Sequence, residues 1–154
     1  MPNVGDWCAP SGGLNKSGCG GHGTCGGSYE YISALRTVKS WASATGNSAD
    51  AAKYSALERK VVSDFTASYL RGPDNNVQAV QAGFNCPSTT VQTANALGLA
   101  VDPQAAGALD ALIKDIAAKG THLDTGIVGT KYLLESLSQG GRADLALAVV
   151  TNPT

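Results

Sequence analysis

Charged residues are scarce in this chain of 154 amino acids. Aspartate, glutamate, lysine and arginine make up 15% of it, whereas about a quarter is usual for a globular domain. Eleven basic residues stand against twelve acidic ones, which gives a net charge of −1 at pH 7. A nucleic-acid partner would require a basic stripe, and the sequence has none. We therefore expect no nucleic-acid binding.

Long apolar runs are absent as well. No stretch approaches the roughly 18 apolar residues that indicate a membrane-spanning helix. The first residues show neither the basic segment nor the apolar segment of a signal peptide, so no signal peptide is visible. Apolar residues nevertheless make up 43% of the chain, and the length suits one domain with one core. The composition predicts a single globular domain without a membrane span.

Convincing strand patterns are also lacking, and helical periodicity takes their place. Asn47 or Ser48 is a predicted N-cap for the second helix, Ser88 for the third, and Asp102-Pro103 is a strong start signal for the fourth. Helices joined by short turns pack as antiparallel hairpins, so the pattern predicts an all-α chain of three hairpins. The six predicted helices span about residues 28–45, 49–70, 88–98, 103–119, 127–138 and 142–150.

The first 27 residues differ from the rest because they show no periodicity. Eight of the seventeen residues from 11 to 27 are glycine, and ordering such a segment costs much entropy. We therefore separate a Gly/Cys-rich segment, 1–27, from the helical hairpins, 28–154, within one domain overall. Disulfides could hold the segment in place and would indicate an extracellular or other oxidising compartment. The candidate cysteines are Cys8, Cys19, Cys25 and Cys86.

Four cysteines allow three pairings, and the sequence does not choose among them. Cys19–Cys25 is the most local possibility. A zinc site of three thiolates and one imidazole is an alternative, with His22 inside the segment CGGHGTC. The paired C-x₂₋₄-C spacing of most zinc sites is absent, however, which favours disulfides. Free thiols also stay open, and we predict no metal or other cofactor.

Residues 122–134, HLDTGIVGTKYLL, pass from a polar turn through two glycines into an apolar helix. The simple interpretation is a helix capped by Asp124 or Thr125, with His122 in a solvated loop. The alternative interpretation is a loop that presents His122 and Asp124 to a cavity.

This stretch resembles the H-L-x-T-G-[FI]-[VL]-G-T-x-Y-L-L segment of α-L-rhamnosidases, glycoside hydrolase family 78. Three further segments resemble the same family in the family's order. They are GDWCAP at 5–10, QTANAL at 92–97 and LSQGGRADLA at 137–146. The resemblance implies a partial (α/α)₆ toroid. It also implies relation to inverting glycosidases that release terminal L-rhamnose from glycosides and polysaccharides.

Inversion requires two carboxyl groups about 6.5–9.5 Å apart, one as general acid and one as general base. The resemblance places the acid in a D-x-x-R-x-E-R-x-G-W segment and the base in a W-E-x-W segment. The sequence contains neither, so we assign no catalytic residue. The expectation is a chain that begins after the first motif and ends before the second. Asp6, Trp7 and His122 fall on segments that the resemblance implies to line the sugar pocket.

Three functions follow as hypotheses. The first is an α-L-rhamnosidase-like domain fragment or relative that is inactive alone and binds a rhamnose-containing glycan or glycoside. The second is a non-catalytic carbohydrate-binding or structural protein that self-assembles. The third is a hydrolase with its own carboxyl pair, such as Asp6 with Asp124. A half-toroid leaves apolar flanks open, which predicts self-association or a partner chain.

Overall fold

Six α-helices make up most of what the computed structural model describes, which is residues 24–71, 83–86 and 89–153 together with Pro10. A two-residue antiparallel pair joins β1 (Leu70–Arg71) to β2 (Gly83–Phe84), with Leu70 opposite Phe84. The predicted all-α chain of six helices is confirmed, and this short pair is the one strand element in the described ranges. The helices are α1 (Thr24–Ala44), α2 (Ser48–Tyr69), α3 (Val91–Val101), α4 (Ala108–Ala118), α5 (Ile127–Gln139) and α6 (Ala143–Thr151).

The turn between α1 and α2 follows the sequence signals closely. Gly46 adopts a φ of +75°, which glycine tolerates without steric cost. The Asn47 side chain accepts a hydrogen bond from the Asp50 backbone N–H at 3.1 Å, so Asn47 is the cap of α2. This three-residue connection turns α2 back along α1 and makes the first helical hairpin.

The odd-numbered helices run parallel in one row. Near the start of α3 and α5, Thr93 packs directly on Gly129. Further along both helices, the Ser136 hydroxyl donates to the Ala96 carbonyl at 3.1 Å. Because both contacts advance in the same direction along the two chains, α3 and α5 are parallel.

Helix α1 joins this row next to α3, and its Tyr29 ring also meets the Tyr132 ring of α5. Its N-terminal end is tied to the segment before α3 by the Cys25–Cys86 disulfide. Farther along α1, Arg36 donates to the Ala100 and Val101 carbonyls at the end of α3, at 2.8 and 2.7 Å. Each even-numbered helix packs against the odd-numbered helix that precedes it, which makes three helical hairpins.

Helix α3 lies at the centre of the core. Every residue from 92 to 99 is buried, and Gly98 allows the Phe84 ring to approach the helix backbone. The largest fully buried apolar side chains come from four helices. They are Ile32, Leu97, Leu112, Ile116, Leu133 and Leu137.

Three predicted helix starts need correction. Helix α1 begins at Thr24 rather than at about 28, so its first turn lies inside the segment 1–27 that showed no periodicity in the sequence. Helix α4 begins at Ala108 rather than at 103, because Asp102 serves as the C-cap of α3 instead. The Asp102 carboxylate accepts from the Gln104 N–H at 3.0 Å, which makes a local turn. At the start of α3 the N-cap is Thr90, whose hydroxyl accepts from the Thr93 N–H at 3.2 Å. Ser88, the predicted cap, lies outside the described residues.

The disulfide also differs from the most local expectation. Cys25 bonds Cys86, which is 61 positions further along the sequence, and their Cα atoms are 5.6 Å apart. The pairing Cys19–Cys25 is therefore wrong, and Cys25 is not free to act as a thiolate ligand in a zinc set. Cys8, Cys19 and His22 lie outside the described residues. None of the described helices is long and apolar enough to cross a membrane.

Candidate functional site

The loop between α4 and α5 begins with a strained turn. Gly120 and Thr121 both adopt left-handed conformations, with φ of +65° and +66°. The Thr121 N–H donates to the Ile116 carbonyl at 2.9 Å and the Gly120 N–H to the Ala117 carbonyl at 3.1 Å. This pair of bonds is the Schellman motif that ends many helices. A β-branched residue rarely adopts a positive φ, and such strain concentrates at functional sites.

One buried amide holds the centre of the loop. The Gln92 side chain is completely buried at the start of α3. Its Nε2 donates to the His122 carbonyl at 3.1 Å, and its Oε1 accepts from the Asp124 N–H at 2.7 Å. The Thr90 hydroxyl donates to the Asp124 carbonyl at 2.5 Å. The backbone on both sides of Leu123 is therefore fixed to α3, so His122 stands on a rigid base.

Asp124 is buried and ion-paired rather than presented to a cavity. Its Oδ2 lies 3.1 Å from the Lys119 Nζ, which also lies 2.7 Å from the Asp115 carboxylate. Burial alone would lower the pKa of Lys119, but hydrogen bonds to Asp115 and Asp124 outweigh burial and raise it. The ammonium therefore stays charged and locks the loop onto the end of α4.

The predicted cap of α5 is wrong in detail. The N-cap position is Gly126, which has no side chain, so neither Asp124 nor Thr125 occupies it. Instead, the Thr125 hydroxyl lies 2.8 Å from the Thr130 hydroxyl, which in turn donates to the Gly126 carbonyl at 2.8 Å. These two threonines shape the turn before the helix.

His122 is exposed, and its ring is held from one side. The Asn152 Nδ2 lies 3.2 Å from the His122 Nδ1 and donates to the Gly120 carbonyl at 3.0 Å. Asn152 follows directly after α6. The site thus combines a strained turn, a buried amide clamp, a charged pair and an imidazole whose remaining edge faces solvent.

Of the three predicted sugar-contacting residues, the structure describes His122. His122 lies where the simple interpretation placed it, in a loop open to solvent, but it is anchored there. Asp6 and Trp7 lie outside the described residues, so their approach to His122 stays a prediction. The described residues hold no cluster of three or more potential metal ligands.

Sequence reasoning missed four residues that build the site, namely Thr90, Gln92, Lys119 and Asn152. Gln92 gives a detectable signal, since it is a polar residue at the start of an otherwise small and apolar helix. Lys119 shows only the i,i+4 spacing to Asp115, which is common on helices and does not point to Asp124. Asn152 lies 30 positions from His122, and no local pattern marks it.

Comparison with known proteins identifies this helical arrangement. The family model described as the bacterial alpha-L-rhamnosidase six-hairpin glycosidase domain matches residues 1–154. The chain belongs to this family. An alpha-L-rhamnosidase of Formosa agariphila is 30% identical to it over 157 residues, an alignment that covers 100% of this chain and 16% of that relative.

Solved structures give the same result. The alpha-L-rhamnosidase of Dictyoglumus thermophilum is 27% identical, with a TM-score of 0.72, over 99% of this chain and 16% of that one. The Streptomyces avermitilis alpha-L-rhamnosidase, solved with L-rhamnose, is also 27% identical, with a TM-score of 0.67, over 82% and 12%. The Aspergillus terreus enzyme, at 21% identity and a TM-score of 0.63 over 79% and 13%, shares the fold. The chain therefore spans a small part of the length of its relatives.

Proposed function

We propose that this chain forms part of the sugar-facing wall of a rhamnosidase-type glycosidase domain, and that alone it binds rhamnosides without hydrolysing them. The observation that carries the proposal is the number of side chains that anchor the α4–α5 loop. Four side chains from α3, α4 and the end of α6 fix its backbone and its imidazole: Thr90, Gln92, Lys119 and Asn152. A loop that only connects two helices does not need such anchoring. A loop that positions a ligand contact does.

The carboxylates of the described site support binding rather than proton transfer. An inverting pair faces a shared water, with one member kept protonated. Asp115 and Asp124 instead both contact one lysine ammonium, with Nζ–carboxylate distances of 2.7 and 3.1 Å. Both carboxylates are engaged in an ion pair with Lys119, which gives them a structural role in holding the loop. The family segments for acid and base are also absent from this sequence.

The proposed ligand is a rhamnose-containing glycan or glycoside, contacted by Asp6, Trp7 and His122. A tryptophan face packs well on the apolar face of a sugar ring, and carboxylate and imidazole groups hydrogen-bond its hydroxyls. The test is calorimetric titration of the chain with methyl α-L-rhamnoside. We expect W7A to weaken binding at least tenfold.

The matched control is W41A, since Trp41 is 66% exposed on α1. It should leave the affinity unchanged. Equal affinity in wild type and W7A would contradict the assigned role of Trp7, and no binding by wild type would contradict the proposal itself.

A second candidate function is a non-catalytic carbohydrate-binding or structural protein that self-assembles. Its support is apolar exposure on α6, where Leu147 and Val150 are 63% and 58% exposed and lie one turn apart on the same face. Sedimentation velocity distinguishes the two functions. Self-assembly that L147K/V150K abolishes, with no rhamnoside binding, would favour the structural form of this candidate. The control is A52K/A56K, which adds the same charge to the exposed face of α2.

The disulfide is compatible with an oxidising compartment, and we propose that the chain works outside the cytosol. Quantifying free thiols in chain recovered from its source tests this. Full alkylation of Cys25 and Cys86 without prior reduction would contradict it.

A further inference from the structure

The orientation of the Asn152 amide follows from its partners. Its Nδ2 lies 3.0 Å from the Gly120 carbonyl oxygen, which can only accept a hydrogen bond. The amide nitrogen must therefore point toward the turn, since the amide oxygen in that place would meet another acceptor. The same nitrogen lies 3.2 Å from the His122 Nδ1. One hydrogen of this nitrogen is therefore donated to the Gly120 carbonyl and the other to the His122 Nδ1.

This orientation determines the state of the imidazole. An Nδ2–H that donates to Nδ1 requires a lone pair on Nδ1, so the ring hydrogen of neutral His122 must be on Nε2. We propose that Asn152 is a positioning residue that holds His122 as the Nε2–H tautomer and so presents a hydrogen-bond donor to an oxygen of the bound sugar. This inference rests on the proposed function for its ligand.

The rest of the loop keeps the arrangement in place. The left-handed Gly120 and Thr121 reverse the chain, so that the Gly120 carbonyl and the His122 ring both reach one amide. Gln92 holds the His122 carbonyl with a hydrogen bond of 3.1 Å. Neutral sugars carry ring, glycosidic and hydroxyl oxygens that accept hydrogen bonds, and the Nε2–H edge suits such an acceptor. The geometry therefore predicts a donor contact to rhamnose rather than an acceptor contact.

The tautomer can be read directly by NMR. Long-range ¹⁵N–¹H spectra of histidine-labelled chain distinguish Nδ1–H from Nε2–H, at about pH 8.5, two units above the ordinary histidine pKa. H122Q assigns the signal against that of His22. We expect wild type to show the hydrogen on Nε2. N152D replaces the donor with a carboxylate acceptor, so the hydrogen should move to Nδ1.

Q104E is the matched control, because it makes the same charge change at an exposed position after α3. It should leave the tautomer unchanged. N152A provides a second variant should N152D disturb the loop. It removes the donor without adding a charge. The His122 Nδ1 signal should then shift toward the average value of two tautomers in exchange. Amide spectra check that each variant is folded.

Titration with methyl α-L-rhamnoside completes the experiment. We expect the His122 Nε2 signal to shift in wild type and the affinity to fall about fivefold to tenfold in N152D, the effect of one hydrogen bond. Hydrogen on Nδ1 in wild type, or an unchanged Nδ1 signal in folded N152D and N152A, would overturn the inference. The predicted tautomer together with no response to the rhamnoside would support the role of Asn152 and count against the proposed function.

Discussion

Gln92 fixes its loop in the way that a paired strand fixes a neighbour, through one donor and one acceptor to the same stretch of backbone. Both partners are main-chain groups, the His122 carbonyl and the Asp124 N–H. Because the amide is fully buried, water cannot replace either bond. A single side chain therefore links the core of the domain to the residue that we assign to ligand binding.

Replacing Gln92 should cost both stability and ligand binding. Q92L keeps the shape but leaves the loop carbonyl and N–H without this partner, so we expect unfolding free energy to fall by about 2–3 kcal/mol. Urea denaturation measures the loss. Q104A at an exposed position should change it by less than about 0.5 kcal/mol. A Q92L chain as stable as wild type would contradict the clamp.

Alanine substitutions at two helical glycines should change the stability of the chain in opposite directions. A Cβ on Gly98 would lie 1.9 Å from the Phe84 ring, whereas a Cβ on Gly26 meets nothing within 4 Å. G98A should therefore destabilise the chain by at least about 1–3 kcal/mol through overpacking. G26A should stabilise it by up to about 1 kcal/mol, because alanine favours the helix. Thermal unfolding of both variants decides the point, and equal effects would contradict the packing of Phe84 on α3.

At the scale of elements, local signals identified the six helices but misplaced some of their ends. Asn47 caps α2 because its partner lies three residues away, within reach of any sequence-based rule. Asp102-Pro103 carries an equally good start signal, yet α3 extends through Val101 and Gly107 adopts the left-handed turn before α4. The Cys25–Cys86 pairing depends on the parallel packing of α1 and α3, which no local spacing reveals.

The disulfide should contribute strongly to the packing of α1 against α3. Closing a loop of about 60 residues stabilises a fold by about 4 kcal/mol in the chain-entropy treatment. The C25A/C86A double variant should lose most of that in urea denaturation, and added reductant should then affect it far less than wild type. A variant as stable as oxidised wild type would contradict a structural role for the bond.

The α1–α2 hairpin should weaken in acid through Glu58. Burial opposes ionisation of this carboxyl, but hydrogen bonds from Lys39 and Arg36, at 2.5 and 2.9 Å, outweigh burial and lower its pKa. The folded chain therefore binds this proton less readily than the unfolded chain. The resulting stabilisation is present above the pKa of an unfolded glutamate and is lost as the pH falls through the folded pKa.

The stability difference between wild type and E58Q should consequently be largest at neutral pH and shrink below about pH 5. Urea denaturation across that range measures it. D64N is the control, because the Lys60–Asp64 pair is exposed and contributes little. A difference that does not depend on pH would contradict the ion cluster.

At the scale of the whole molecule, the parallel row of α1, α3 and α5 determines what the chain can do. The row aligns the N-terminal ends of α3 and α5, and the His122 loop lies at that end, where Thr90 and Gln92 anchor it. Sequence resemblance predicted this family and the toroid, and the family match confirms both. The anchoring of the loop was not predictable, because its contacts span 30 to 34 positions in the sequence.

The most direct test of the account is a single titration of the purified chain with an aryl α-L-rhamnoside, with binding heat and aryl alcohol release followed in the same sample. The account predicts saturable binding that H122A weakens, and release no faster than in buffer. Release that scales with protein concentration, or the absence of binding heat in wild type, would contradict it.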